Sequence, residues 1–202
     1  SSSRITMQDI FSMAESLGLS STFLDLLPAI IRLISTILPQ RRWIEILCNY
    51  NVDQETDSKI RDAFKELGAG ALQSFLAARN RLERLKRFDF VDWVGGEDSA
   101  LSAVDELLKR GKSVILTFGR YGDDRAAYML VANIVSRRLW DECIRLIMEG
   151  KPIEHRVVIF LEEAHKFLSP TVYYMTPFGD IARELRKRGV VLCVLDQRPS
   201  EL

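Results

Sequence analysis

The sequence predicts an α/β fold. A partial parallel sheet of about three strands, flanked by helices, occupies residues 91–202, and a helical subdomain occupies residues 1–90. Three observations carry this. Ser113–Phe118, Arg156–Leu161 and Val190–Leu195 are short, continuous apolar runs rich in strand formers. A helical pattern lies between each run and the next, and strands apolar along their whole length belong to parallel sheets buried on both faces. Before Val91 the apolar residues recur at helical spacing instead.

Taken in order, Thr6 or Ser12 suits the cap of an early turn. Phe11, Leu17, Leu19, Phe23, Leu26, Leu27, Ile30, Ile31, Ile34, Ile37 and Leu38 recur at helical spacings in a run that Pro39 ends, with Pro28 at a first turn or a kink. Trp43–Leu47 is apolar and too short to assign to helix or strand. Asp53–Leu67 reads as a helix stopped by Gly68, and Ala71–Arg87 as a second, with Leu72, Phe75, Leu76, Leu82 and Leu85 on one side. Gly95-Gly96 breaks the chain. A helix from Asp98 or Ser99 to Gly111 leads to the first strand, and Asp123–Glu149 is a long helix. A loop containing Pro170 and Pro177 follows the second strand. A helix around Phe178–Lys187, stopped by Gly189, leads to the third.

Composition narrows the function classes. Twenty-eight basic and 28 acidic side chains cancel, which argues against a surface built wholly to coat nucleic acid or anionic lipid. With 47% hydrophobic residues the chain is not disordered as a whole. Cys48, Cys143 and Cys193 lie far apart without metal-ligand spacing, which points to a reducing, cytoplasmic compartment. Two histidines, His155 and His165, cannot build a histidine-rich zinc site. The apolar run Leu24–Leu38 is interrupted by Pro28 and Arg32 and is too short to span a bilayer, so no membrane role is expected. Ser1-Ser2-Ser3-Arg4 lacks both an initiator Met and the charged-then-apolar order of a signal peptide, and so reads as the start of a processed or partial chain.

Ligands of parallel sheets bind beyond the carboxyl ends of the strands, so the residues after each run matter most. The second strand ends in Glu162-Glu163-Ala164-His165. An apolar strand tipped by two adjacent carboxylates is the arrangement with which phosphate-handling ATPases orient Mg²⁺ and polarise the attacking water. Glu162 fits the first role, through water, and Glu163 the second. The alternative is a solvated acidic pair at a strand end. The third strand ends in Asp196-Gln197-Arg198-Pro199-Ser200, where Gln197 can sense a γ-phosphate or hold the attacking water; the alternative is an ordinary Pro-Ser turn. Between these strands, Arg183 and Arg186 share one helix face and either suits an arginine finger, or else a basic helix end favoured by the macrodipole.

Together Val157–Phe167, Phe178–Lys187 and Val194–Ser200 resemble the HerA/FtsK superfamily of hexameric DNA-pumping ATPases, in particular its HerA-like group. Ser113–Arg138, with Phe118-Gly-Arg-Tyr-Gly122, looks like the preceding strand and helix of that family. The resemblance covers residues 90–202 and implies a partial RecA-like P-loop core. Residues 1–90 look like the helical insertion such proteins carry. It further implies that the parent protein hydrolyses ATP with Mg²⁺ to move along double-stranded DNA as a homo-oligomeric ring, beside a nuclease partner in end processing. Glu162 becomes the metal-side acid, Glu163 the catalytic base, Gln197 the sensor, and Arg183 or Arg186 the finger.

Two departures stand out. Where the family usually carries Asp, this chain has Glu162, whose longer arm changes the geometry at the metal. The phosphate-cradling loop, Gly, four residues, then Gly-Lys-Ser/Thr, does not occur. Gly111-Lys112-Ser113 mimics its end, but Glu106 stands where the first Gly belongs, and the triplet precedes a strand instead of following one. The chain is therefore expected to be an internal fragment of a longer ATPase, inactive by itself, with the Asp196-Gln197 strand missing its loop-bearing neighbour. That exposed edge is expected to be covered by helices or by another copy.

Two rivals belong to other classes. One is a non-catalytic helical and α/β interaction module with vestigial ATPase motifs. The other is a superfamily-two (DEAH-like) helicase, against which the Gln-Arg-Pro-Ser strand end and the lack of a Ser-Ala-Thr segment before it both argue. Arg79, Arg81, Arg84, Lys86 and Arg87 form a basic cluster that reads as a solvated helix face or, on the functional reading, a DNA-backbone contact. Arg120 is expected to face the site or the pore, or else to pair with Asp123 or Asp124, and Trp43, Trp93 and Trp140 read as core or interface packing residues.

Overall fold

The structure is a computed structural model that describes residues 5–91, 99–152, 156–168, 170, 173 and 176–197. Gly95-Gly96, Trp93, Asp98, His155 and Arg198-Pro199-Ser200 lie outside the described residues. The chain divides into two compact units, Ser1–Glu97 and Asp98–Leu202.

The first unit is helical: α1 (Met7–Ser12), α2 (Ala14–Leu17), α3 (Ser21–Ile37), α4 (Trp43–Leu47), α5 (Gln54–Glu66) and α6 (Ala69–Leu82), which tightens into a 3₁₀ turn over Glu83–Arg87. Helix α1 starts at Thr6, whose backbone N–H donates to Asp9 Oδ2 at 2.7 Å, the returning half of a capping box. Ser20 caps α3 by accepting from the Phe23 N–H, and Asp53 caps α5 by accepting from the Thr56 N–H. Pro28 sits inside α3, and the helix ends just before Pro39. The segment of undecided type, Trp43–Leu47, is the helix α4. In α3, Phe23, Leu27, Ile30 and Ile34 recur at helical spacing and are fully buried. They pack with α5 and α6, whose Phe64 and Phe75 rings stack at 4.3 Å between centroids. Removing such aromatic surface from water is the dominant stabilising term of a unit this size.

The second unit is mixed α/β: α7 (Ser99–Lys109), a 3₁₀ turn at Gly119–Tyr121, α8 (Arg125–Met148), β1 (Val157–Glu162), α9 (His165–Leu168), α10 (Phe178–Asp180) and β2 (Val190–Leu195). Asp124 caps α8, accepting from the Ala126 and Ala127 N–H groups. Strands β1 and β2 pair in parallel, Val157 opposite Val190 through Glu162 opposite Leu195. One face of this ribbon packs Val157, Ile159 and Val190 against Leu139, Trp140, Cys143, Ile144 and Ile147 of α8 and against Ile181 and Leu185. Among the described residues no helix is long and apolar enough to cross a membrane.

Three expectations are corrected here. First, the sheet has two strands among the described residues, not about three: Ser113–Phe118 lies in no strand. Strand propensity is realised only against a ladder partner. Here Phe118 instead stacks on Tyr128 of α8 at 3.9 Å, tying the end of the run to a helix, while Ile115 is 87% exposed. Second, the ribbon is not buried on both faces. Alternation sends Val158, Phe160 and Val191 to the face opposite α8, where all three are exposed. Third, Phe178–Lys187 is not one α-helix. After α10 the chain widens into a π turn at Ile181–Leu185, tightens into a 3₁₀ turn at Arg186–Arg188, and ends on Gly189 at φ +93°. The irregular turns keep Phe178, Ile181 and Leu185 all buried.

Candidate active site

The parallel register brings the two strand tips together. Glu162 stands opposite Leu195, so Glu163 follows one strand end and Asp196-Gln197 the other, at the same end of the ribbon. Glu162 continues the exposed face of β1 and is itself exposed. Glu163 has φ +51°, in the left-handed region that a side chain enters at a cost of about 1 kcal/mol. That backbone reversal turns the chain out of β1 and starts α9, with the Glu163 carbonyl accepting from the Lys166 N–H at 3.0 Å. The Glu163 side chain is 42% exposed and Gln197 is exposed, so neither is sunk in apolar packing.

The turn is closed from the β2 side. The Ala164 N–H donates to the Leu195 carbonyl at 3.3 Å, and the His165 N–H donates to Asp196 Oδ2 at 2.6 Å. The same carboxylate faces the imidazole, with Nδ1 at 3.0 and 3.3 Å from its two oxygens. The Asp196 side chain is only 3% exposed and that of His165 14%. On the other side of the ring, Nε2 lies 3.7 Å from Glu163 Oε2. Sequence reasoning passed over this pair, judging His165 only as a zinc ligand. The available signal was the Asp placed directly after an apolar run, one residue past the rung that holds Glu162.

Further contacts hold the surroundings. Lys166 Nζ sits 4.8 Å over the Tyr128 ring, and Phe167 meets Phe178 edge-on at 5.6 Å, joining α9 to α8 and α10. Arg120 lies over the neighbouring Tyr121 ring and donates to its hydroxyl at 2.9 Å.

The two arginines stand apart from the acidic tip. Arg183 is exposed and pairs with Asp180 at 2.5 Å, and Arg186 is exposed. Among the described residues, no hydrogen bond or ion pair joins either to Glu162, Glu163 or Gln197. Their shared helix face does not hold in its expected form, since one lies in the π turn and the other in the 3₁₀ turn. An exposed pair such as Arg183–Asp180 is worth at most about 1 kcal/mol and gives way readily to a stronger anion.

Gly111-Lys112-Ser113 is a helix end. The Gly111 N–H donates to the Leu108 carbonyl and the Lys112 N–H to the Leu107 carbonyl, with Gly111 at φ +67°. This is the Schellman closure of α7, and its backbone N–H groups are spent on carbonyls instead of being free for phosphate. The basic cluster divides as well. Arg79 is buried and bonds Asp57 and Asn49, and Lys86 pairs with Glu83, while Arg81, Arg84 and Arg87 are exposed.

Among the described residues no group of three His, Cys, Asp or Glu side chains is arranged to hold a metal ion. The exposed carboxylate of Glu162 offers a single ligand, compatible with an ion that keeps most of its waters, as Mg²⁺ does. No family model, no curated protein and no solved structure matches this chain.

Proposed function

We propose that the chain is part of a HerA-like ATPase that moves along double-stranded DNA as a homo-oligomeric ring in the cytoplasm, with a nuclease partner. One observation carries the reading. Two parallel strands end in register, one in Glu162-Glu163 and the other in Asp196-Gln197, so three carboxylates and an amide reach one end of the ribbon. These are the segments whose wording resembles the family.

On this reading the chain's own residues divide the work. Mg²⁺, bound with ATP, supplies charge neutralisation at the phosphate oxygens, and Glu162 holds it through water. Glu163 accepts the proton of the water that attacks the γ-phosphoryl group. Gln197, on the neighbouring strand end, orients that water or reads the presence of the γ-phosphate. Arg183 or Arg186, both exposed, reaches the nucleotide of a neighbouring subunit. The backbone N–H cradle for the phosphates has no counterpart in this sequence and comes from elsewhere in the parent protein.

A second reading is favoured by one observation. The ribbon face bearing Val158, Phe160 and Val191 is open and apolar, as an interaction module without catalysis would require. Nucleotide titration separates the two. The reading predicts that the 202-residue chain binds ATP more weakly than about 1 mM, while the longer parent binds it and hydrolyses it faster with double-stranded DNA. Low-micromolar binding by this chain alone contradicts the assignment of the phosphate ligands. A parent without DNA-stimulated ATPase activity leaves the interaction module.

A further inference from the structure

The geometry points to Asp196 as a positioning residue: through His165 it locks the turn that presents Glu163. Four observations lead there. The Asp196 side chain is withdrawn from solvent at a strand tip whose next residue, Gln197, is exposed. It binds one neighbour at two places, the His165 backbone N–H and the ring Nδ1. Just before that neighbour, Glu163 is held at φ +51°. The far side of the ring, Nε2, stands against the Glu163 carboxylate.

The parallel ladder explains why a side chain does this work. Leu195 is the last residue of β2 to offer a backbone carbonyl across the pair, and Ala164 takes it. The next N–H, that of His165, finds a carboxylate in place of a carbonyl. At this half-buried turn an N–H left without an acceptor carries a cost, so the acceptor at this rung bears on whether the reversal at Glu163 holds. The imidazole then stands as a wall between Asp196 and Glu163 and limits the directions open to the Glu163 side chain. One residue of β2 thereby sets the aim of a residue of β1. The core beneath, Cys143, Ile181, Leu185 and Val190, contains no part of this linkage, so the aim can be lost while the unit stays folded.

The role of Glu163 as base rests on the function proposed above, whereas the clamp rests on the distances alone, and the test keeps the two apart. In the 202-residue chain labelled with ¹⁵N and ¹³C, only His155 and His165 contribute imidazole signals, and His165→Gln assigns them. The expected result is a His165 Nδ1–H proton protected from water exchange and a one-bond Cα–Hα coupling at Glu163 that reports positive φ. Asp196→Ala abolishes both while the far-UV spectrum is kept. The near-isosteric Asp196→Asn, a variant that folds if Ala does not, weakens both. In the parent, Asp196→Asn lowers kcat about tenfold or more, with KM for ATP moved less than about twofold, the split expected when only the aim of a base is lost. A His165 ring proton in free exchange, a negative φ at Glu163, or an unchanged kcat in Asp196→Asn overturns the assignment. If the unsubstituted parent does not hydrolyse ATP, the proposed function fails, and the ring proton and the Glu163 coupling decide the clamp alone.

Discussion

The helical unit and the strand ribbon treat their aromatic residues in opposite ways. Phe23, Phe64, Phe75 and Phe88 of the first unit are each buried to within 1% of their surface. Phe160, in the middle of β1, is 66% exposed, with Val158 and Val191 beside it on the same face. The first unit buries these rings in its helical core, although Leu67 and Phe90 remain exposed. The ribbon packs one face on α8 and leaves Val158, Phe160 and Val191 exposed on the other, and it is this two-stranded element that carries the acidic tip. Buried rings report on packing, while strand ends that gather polar groups beside an exposed apolar face point to function.

The comparison breaks first if the same ring, removed in two places, has the same effect. Phe75→Ala should lower the stability of the first unit by about 4 kcal/mol, because it empties a fully buried site against the Phe64 ring. Urea unfolding followed by circular dichroism measures it, and a loss of under about 1 kcal/mol would mean that this core is looser than its burial implies.

A smaller effect sharpens the picture of the first unit. Arg79→Met should cost about 2 kcal/mol, since it strips a buried cation from Asp57 and Asn49. Burial works against the charged form of Asp57, and hydrogen bonds from Arg61 and Arg79 with their charges outweigh it, so its carboxyl titrates below the ordinary range. A depressed carboxylate stabilises fully above its unfolded value, and that contribution is lost as pH falls through the folded one. The difference between wild type and Arg79→Met should therefore shrink as pH drops from neutral to below about 3.9, the ordinary Asp value. A difference that grows with acidity would show that another group controls it.

The smallest effect belongs to the ribbon. Phe160→Ser should change stability by about 0.5 kcal/mol or less and reduce binding of a hydrophobic dye. A loss like that of Phe75→Ala would mean that this face is covered in solution.

Legibility follows the same division. Helices with strong stripes, such as α3 and α5, could be read from spacing alone, α5 from its Asp53 start, as could β2, whose bounds the apolar run gives to the residue; the Ser20 cap of α3 was not singled out. Ser113–Phe118 could not, because its composition states a preference for strand and says nothing of whether a partner edge is at hand. The π and 3₁₀ turns after α10 were illegible for a similar reason: they answer to the burial of Ile181 and Leu185, a tertiary demand. At the site, Glu162, Glu163 and Gln197 could be named as strand ends. The link between His165 and Asp196 needed the register, since the two lie 31 residues apart.

On the proposed function, Glu163 is the group that activates water. The most direct test of that role is Glu163→Gln in the longer parent, with ATP binding and steady-state turnover measured side by side. The prediction is nucleotide affinity within about threefold of wild type and turnover reduced at least about 100-fold, the scale of a lost general base. Turnover at the wild-type rate would contradict it and leave the acidic tip as a solvated strand end on an interaction module.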